Sequence, residues 1–570
     1  MKNFSANRLL QLLVPQRLRT SRPRRLRRGS AIAAIVLVPI FGSAFLLQQS
    51  DTIASARLLD QVLQLTATRY VDTVSTNALY EKAARGLVRE LNDPYSVLFS
   101  PKELEQFNQQ TGGKYGGVGM EIAEIQGFVT VQRVFPNTPA AAAGVLDGDK
   151  IIQIDTFNVR GWTTQQVSEK LKGTPGTKVS VKFARTNVAE PIPVTFTRAI
   201  VHIPAVPYAL IFEGDIGYVV LQQFSETATE ELNAAINDLV ERGAKKLVVD
   251  LRSNPGGILD EAIKSSNLFF GDGLEVASVR GRGGAAQVYQ ALDRAAYPDI
   301  PLVVMIDGRS ASASEILAGS LQDHDRALIV GTTSFGKGLV QSLFQLDGGY
   351  ALKMTTAKWY TPSGRSIQKD RKLLPDGELV EVLPDSMESD SVKKARPQFK
   401  SDAGRVVYGG GGITPDLIVK PDTLSTAEQK LFASFATKQQ ILLGQLQEFA
   451  ASLKGKISPD FEVTPEMRAE FVKRLRDNGV TVDDALLAEG GQAFDHFIGA
   501  RIATSLFGDS TAKRKYLSDD NQLVKAINLL KGIGERIDRA RMRRPGNISR
   551  NTWITEAILE KLERDEQREE

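Results

Sequence analysis

Cysteine is absent from the 570 residues, and histidine occurs only three times, at His202, His324 and His496. The first absence excludes disulfides, a thiol nucleophile, thiolate metal sites and a lipidated N-terminal cysteine. The second leaves no H-E-x-x-H pair, so a His-rich metal site is not expected and catalytic machinery must draw on other residues. No metal and no cofactor are expected. Acidic residues are missing from one stretch: residues 1–50 hold nine Lys or Arg and no Asp or Glu. The remainder carries 62 basic against 67 acidic residues. Such a mildly acidic body offers nucleic acid no basic face, and no nucleic-acid partner is expected. What is present is otherwise ordinary. With 42% apolar and 24% charged residues the chain is globular, and its length predicts three or four modules.

The basic cluster precedes Ala31–Leu47, seventeen uncharged residues in which Ser43 is the clearest polar one. That is the lower limit for a helix crossing a bilayer. Arginines on one flank and Asp51 on the other predict a basic cytoplasmic leader over 1–30 and a transmembrane signal-anchor over 31–49. The expected localisation is a single-pass bacterial inner-membrane protein, with its N-terminus cytoplasmic and everything after about residue 50 periplasmic. The rival reading is a cleaved signal peptide ending near Gly42-Ser43-Ala44.

Helical periodicity marks an N-terminal segment over 50–112, with Leu58, Leu59, Val62 and Leu63, then Ala83, Leu87, Val88 and Leu91, facing one way. Strands and turns dominate 113–200. Alternating apolar runs and amphipathic stretches over 201–420 predict βαβ units, interrupted by a polar insert at about 369–407. A helical extension fills 421–570, with a cap at Thr464-Pro465-Glu466, breaks at Gly490-Gly491 and Pro545-Gly546, and a charged amphipathic helix at its end.

Within 113–200, Gly116, Gly117, Val118 and Gly119 lead into the alternating strand Met120–Ile125. Glycines so spaced permit positive φ, and converging backbone N–H groups then form an anion-binding nest. Thr163–Leu171 reads as a capped helix facing that strand, with Val167 inward. A nest at the start of a strand opposite a helix is a recipe for capturing a chain by its terminal carboxylate. The segment resembles a PDZ domain; Val118, Met120 and Val167 would favour an apolar terminal residue.

Three strand-turn segments carry the chemistry. Leu247–Arg252 runs into Ser253-Asn254-Pro255-Gly256-Gly257, Leu302–Ile306 into a helix bearing Ser310, Ser312 and Ser314, and Ala327–Val330 into Gly331–Gly338. In βαβ folds such strand ends share one crevice, where helix N-termini offer free N–H groups. A serine there could take an acyl group while the Gly-Gly amides hold the oxyanion. With histidine scarce, the base is better sought in a lysine neutralised by burial, and Lys337 lies between two glycines. Gly331–Lys337 also spells G-x-x-x-x-G-K, but Gly338 replaces the metal-binding hydroxyl of a phosphate loop.

The chain is similar to the C-terminal processing peptidases, also called tail-specific proteases, from about Leu58 to Ile418. The resemblance rests on LNDPYSVLF, YGGVGMEI, DLRSNPGGILDEA, SASASEILAGSLQD, GTTSFGKGLVQ, WYTPSGRSIQ and GGITPD. It implies an α/β fold: a crotonase/ClpP-like protease core with a mainly-β PDZ domain inserted behind an N-terminal helical segment. It places the nucleophile on Ser312, the general base on Lys337, and the residue positioning that lysine on Gln341, one helical turn further on. Oxyanion donors would be the amides of Ala313 and of Gly256 or Gly257. The partners implied are protein or peptide substrates with free C-terminal tails, with the membrane held through the anchor. Two features depart from the family: about forty residues separate SIQ from GITPD, and no family motif follows residue 420. The C-terminal helices are a candidate surface for self-association or an adaptor. The expected function is a membrane-anchored, exported serine endopeptidase; the alternative is a non-catalytic PDZ scaffold on a degenerate protease fold.

Overall fold

The computed structural model describes residues 54–531, apart from 126, 186–187, 374–378 and 382–395. The chain divides into two units, Met1–Leu87 and Val88–Glu570. In the first, helix 54–69 is followed by the start of helix Thr76–Arg89, and the Tyr80 hydroxyl donates to Asp60 Oδ1 at 3.3 Å. Of the apolar positions expected to share a face, Leu63 is buried whereas Leu58, Leu59 and Val62 are exposed.

The second unit is organised by a six-stranded sheet whose strands lie side by side in chain order: β1 (Ala209–Phe212), β2 (Ile216–Val220), β3 (Lys246–Asp250), β4 (Leu302–Ile306), β5 (Leu328–Gly331) and β6 (Leu417–Ile418). The first pair is antiparallel and the rest are parallel. Every residue of β2, β4 and β5 is buried, the pattern of strands covered on both faces. Helices α1 (Ala228–Glu241), α2 (Leu259–Asn267) and α3 (Ala313–Asp323) cover one face through Leu232, Ile236, Ala262 and Leu317. The other face packs on helix Asn521–Leu530, where Leu523, Ile527 and Leu530 meet Tyr218, Val248 and Met305. This helix of the C-terminal extension is thus part of the protease core, whereas residues from Leu431 to Ala512 form a separate cluster.

A second sheet joins Val97–Phe99, Leu274–Gly281, Ala286–Ala291, Leu339–Gln345 and Ala351–Tyr360 around the last of these strands. The mainly-β segment expected over 113–200 forms its own sheet, in the order Met120–Ile125, Phe128–Val134, Lys150–Ile154, Lys178–Ala184 and Ile192–Thr197. Helix Thr164–Leu171, capped by Thr163, packs on it through Val167 and Leu171. Lys114–Gly117 and Ala199–His202 pair as an antiparallel stem where the chain enters and leaves this module. Two small hairpins occupy described parts of the polar insert, Arg371–Leu373 with Leu379–Glu381 and Gln398–Lys400 with Val406–Tyr408. In the helical extension Gly490 and Gly491 break nothing: they lie inside helix Asp484–Phe507, where Gly490 faces Leu431 and Glu428. The expected helix at the chain end and the Pro545-Gly546 break lie outside the described residues.

One expectation is corrected. No helix among the described residues is long and apolar enough to cross a membrane, and the segment on which the anchor rested, 31–49, lies outside them. The single-pass inner-membrane localisation, with a periplasmic catalytic part and a membrane partner, is withdrawn.

Candidate active site

Ser312 stands at the N-terminus of α3 with φ 55° and ψ −112°, a conformation that costs a side-chain-bearing residue about 1–3 kcal/mol and persists only when its surroundings impose it. The fully buried carboxylate of Glu315 does so. Its Oε2 accepts the N–H of Ser312 at 2.8 Å and of Lys337 at 2.9 Å. Its Oε1 accepts the Ser334 hydroxyl at 2.5 Å and the Gly336 N–H at 2.6 Å. One carboxylate thereby ties the start of α3 to the segment carrying Lys337. Burial pushes the Glu315 pKa up, and these four donors act against that shift.

The turn after β3 is pressed against the same helix start. Gly256 has φ 94°, and a β-carbon there would lie 2.5 Å from the Ala311 carbonyl oxygen and 2.9 Å from Ser312 Cβ, so only glycine fits. Asn254 shapes the turn from beneath. Its Oδ1 accepts the Gly256 N–H at 2.9 Å, its Nδ2 donates to the Leu221 carbonyl at 2.8 Å, and its own carbonyl accepts the Ser314 hydroxyl at 3.0 Å. The N–H groups of Gly257 and Ala313 have no partner among the described residues. Further back, Arg252 joins Asp250 and Asp520, at 2.6 and 2.8 Å, linking this turn to the cap of the C-terminal helix.

Lys337 lies in irregular chain between β5 and strand Leu339–Gln345. Because a strand follows it, Gly331–Lys337 lacks the helix that a phosphate loop needs. Trp359 Nε1 donates to the Lys337 carbonyl at 2.9 Å, and the Lys337 ammonium stands 4.9 Å from the Tyr95 ring centre. Among the described residues it has no hydrogen-bond or ion-pair partner. Burial, and then the charge of Lys353, bring its pKa down to about 8, against the pull of Glu315 and Asp93. Gln341 is not a helical turn away, as expected, but on the strand, next to a bulge between Val340 and Gln341. Its Nε2 donates to Thr355 Oγ1 at 3.3 Å.

Ser312, Ala313, Gly256, Gly257, Lys337 and Gln341 all line one cleft of about 410 Å³, with Phe107, Lys353 and Trp359 in its walls. Sequence reasoning missed Glu315 as a structural joint, although Ser312 and Glu315 have the S-x-x-E spacing of a capping box. It also missed Tyr95, Lys353 and Asn254. Arg371, at the start of the polar insert, is missed too: it donates to the carbonyls of Phe335 and Gly336, just before Lys337, and stacks 3.7 Å from the Phe335 ring centre.

In the smaller module only one of the three glycines has positive φ. Gly116 and Gly117 lie in the paired stem strand, whereas Gly119 has φ 88° and a β-carbon there would fall 2.3 Å from Thr138 Cβ. Val118, Met120 and Val167 are buried in the module's own core. Strand Met120–Ile125 is an edge, paired on one side only among the described strands.

These features define a serine-type peptidase core carrying a PDZ domain. The family models that match are Peptidase family S41 over residues 215–379, PDZ domain over 130–185 and Activating protease CtpB N-terminal domain over 46–102. A carboxy-terminal-processing protease of Bartonella bacilliformis is 37% identical over 342 residues, covering 59% of this chain and 78% of that protein. Carboxy-terminal processing protease CtpA of Bacillus subtilis is 30% identical over 456 residues, 80% of this chain and 95% of that protein. A carboxyl-terminal-processing protease of Picosynechococcus is 33% identical over 392 residues, 63% of this chain and 90% of that protein. The chain belongs to the carboxy-terminal processing proteases, PDZ-containing serine peptidases of family S41.

Proposed function

We propose that the chain is an endopeptidase with a Ser312–Lys337 dyad that takes its substrates by their C-terminal tails. The observation that carries the dyad is the Lys337 amine: half-buried without a carboxylate partner, depressed to a pKa of about 8, and sharing a cleft with Ser312. Neutral Lys337 accepts the Ser312 hydroxyl proton as Oγ attacks the scissile carbonyl. The oxyanion is held by the N–H of Ala313 and of Gly257, since the N–H of Gly256 is taken by Asn254. The Lys337 ammonium then protonates the leaving amine, and Lys337 activates the water that releases the acyl group. Gln341 directs its amide N–H₂ to Thr355, which leaves its carbonyl oxygen free to accept from the ammonium formed in each half-reaction.

Tail capture is supported by the edge of Met120–Ile125 that no described strand pairs with, beside helix Thr164–Leu171 and with Gly119 at its start. A terminal peptide adds to that edge as a further strand, its carboxylate at the Val118–Gly119 turn. The scaffold alternative has no observation of its own in the site.

The test uses one unfolded protein substrate prepared with a free or an amidated C-terminus. Ser312→Ala and Lys337→Arg should both be inactive, because a guanidinium does not deprotonate. The free-acid substrate should bind at least about tenfold tighter, one charge-assisted bond alone exceeding 1.4 kcal/mol. Activity in Lys337→Arg would remove the dyad; equal binding of the two substrates would remove tail capture.

A further inference from the structure

A second lysine enters the cleft from strand Ala351–Tyr360. Lys353 lines it together with Ser312 and Lys337. Its backbone is held on both sides, by Val97 in one strand and Leu343 in another. Its ammonium stands 5.4 Å from the ring centres of both Phe99 and Phe107, which stack on each other at 5.1 Å. Among the described residues it makes no ion pair and no hydrogen bond. Aromatic faces attract a partly desolvated cation, so this is a site that keeps a charge in place without neutralising it.

The carboxylates near Lys337 are committed elsewhere. Glu315 accepts its four donors, and Asp93 accepts the Tyr95 N–H at 3.1 Å and the Ser96 hydroxyl at 2.6 Å. Tyr95 presents its ring face to the Lys337 amine, and Arg371 bonds the carbonyls before it. The remaining charged group facing the amine across the cleft is Lys353. We propose that Lys353 is a positioning residue acting through Lys337: its cation, seated on the Phe99–Phe107 pair, keeps the neighbouring amine in its neutral, proton-accepting form. Two half-buried ammonium groups lining one cleft disfavour each other, and the one with better support stays charged. Asp93 favours the charged form of Lys353, against burial. Lys337 therefore gives up its proton first. The inference rests on Lys337 being the base.

The experiment follows kcat/KM against pH for the full chain, Lys353→Met and Lys353→Arg, on one short peptide substrate. In Lys353→Met the midpoint of the acid limb should move up by about 0.5 unit or more, leaving activity below the limb about threefold lower and the high-pH plateau unchanged. Lys353→Arg should keep the original limb. An unmoved limb in Lys353→Met, or an equal loss at every pH in both variants, overturns the proposal. A second measurement reads the order of titration directly. With ¹³C-labelled lysine, the lowest-titrating lysine signal should be the one lost in Lys337→Arg; if it is instead the one lost in Lys353→Arg, the proposal is overturned as well. If Lys337→Arg proves active, the dyad itself falls. If it is inactive and the limb stays put in Lys353→Met, this inference alone falls.

Discussion

Replacing Glu315 by glutamine keeps the shape of the side chain and exchanges one acceptor oxygen for a donor. The carboxylate satisfies four groups, two on each oxygen, so the amide has to give up one pair. If its N–H₂ turns toward Ser312 and Lys337, two buried N–H groups lose their acceptor, about 2–6 kcal/mol at 1–3 each. If it turns the other way, the Ser334 hydroxyl can rotate and accept from it, while still accepting the Ile413 N–H at 2.7 Å. The Gly336 N–H and the Ser334 hydroxyl hydrogen are then left without this acceptor, about 2–6 kcal/mol at 1–3 each. The amide N–H₂ keeps a partner, however, which it lacks in the first orientation. The second orientation wins, and the two backbone groups of the dyad stay tied together. Glu315→Gln should therefore lose about 2–6 kcal/mol in urea unfolding, once the weaker neutral hydrogen bonds are included, and keep measurable turnover. Glu315→Ala orphans all four donors, about 4–12 kcal/mol, comparable with the whole stability of a domain. Its kcat should collapse even at temperatures where the protein stays folded. Full stability and activity in Glu315→Ala would refute the joint. Equal inactivity of both variants while folded would show that the charge matters, not the four hydrogen bonds.

On the proposed dyad the unaltered enzyme should gain activity with rising pH, because the neutral Lys337 amine forms as pH passes about 8. At pH 7 kcat/KM should be about one tenth of its plateau, and a flat profile from pH 6 to 9 would contradict the lysine. Gly257→Ala should lower kcat by about 10²-fold or more, because its β-carbon would meet the Phe224 carbonyl oxygen at 2.2 Å and displace the proposed oxyanion donor; stopped-flow acylation rates on a chromogenic peptide decide this. Ile527→Ala, far from the cleft, should cost about 2–5 kcal/mol of protease-core stability in urea unfolding followed by Tyr218 and its neighbours. No change there would mean that the C-terminal helix does not close the sheet.

The sheet that positions the site was readable wherever chemistry repeats locally. Leu302–Ile306 and Leu328–Val330 are unbroken apolar runs ending in Asp307 or Gly331, and such runs report strands buried on both faces. The serine at a helix start and the glycine turn beside it followed from hydrogen-bonding rules, and the family motifs narrowed three serines to Ser312. Gln341 was misread because its neighbourhood has no strand-like alternation; a bulge and pairing with Ala351–Tyr360 determine its geometry. Lys353 and Tyr95 were invisible for a related reason. Each approaches Lys337 from a different strand or loop, and nothing local to either marks a cleft.

The missing second cover of the sheet has the same origin. Strands buried on both faces require two layers, yet α1, α2 and α3 supply one, and the other arrives from Asn521–Leu530 about a hundred residues after β6. Once in place, that helix does more than fill space. Asp520 at its cap holds Arg252, four residues before Gly256. Asp520 also pairs with Lys513, on helix Asp509–Lys515, whose first residue bonds Arg133 of the PDZ domain at 2.6 Å. Gln447, on helix Gln439–Leu453, donates to the Val131 carbonyl of the same domain at 3.3 Å. The extension that carried no motif therefore braces the PDZ domain and the Gly256–Gly257 turn at once. A chain truncated before Asp509 would lose a face of its core together with the strut between its two working parts. Stability and tail-dependent cleavage should then fail together.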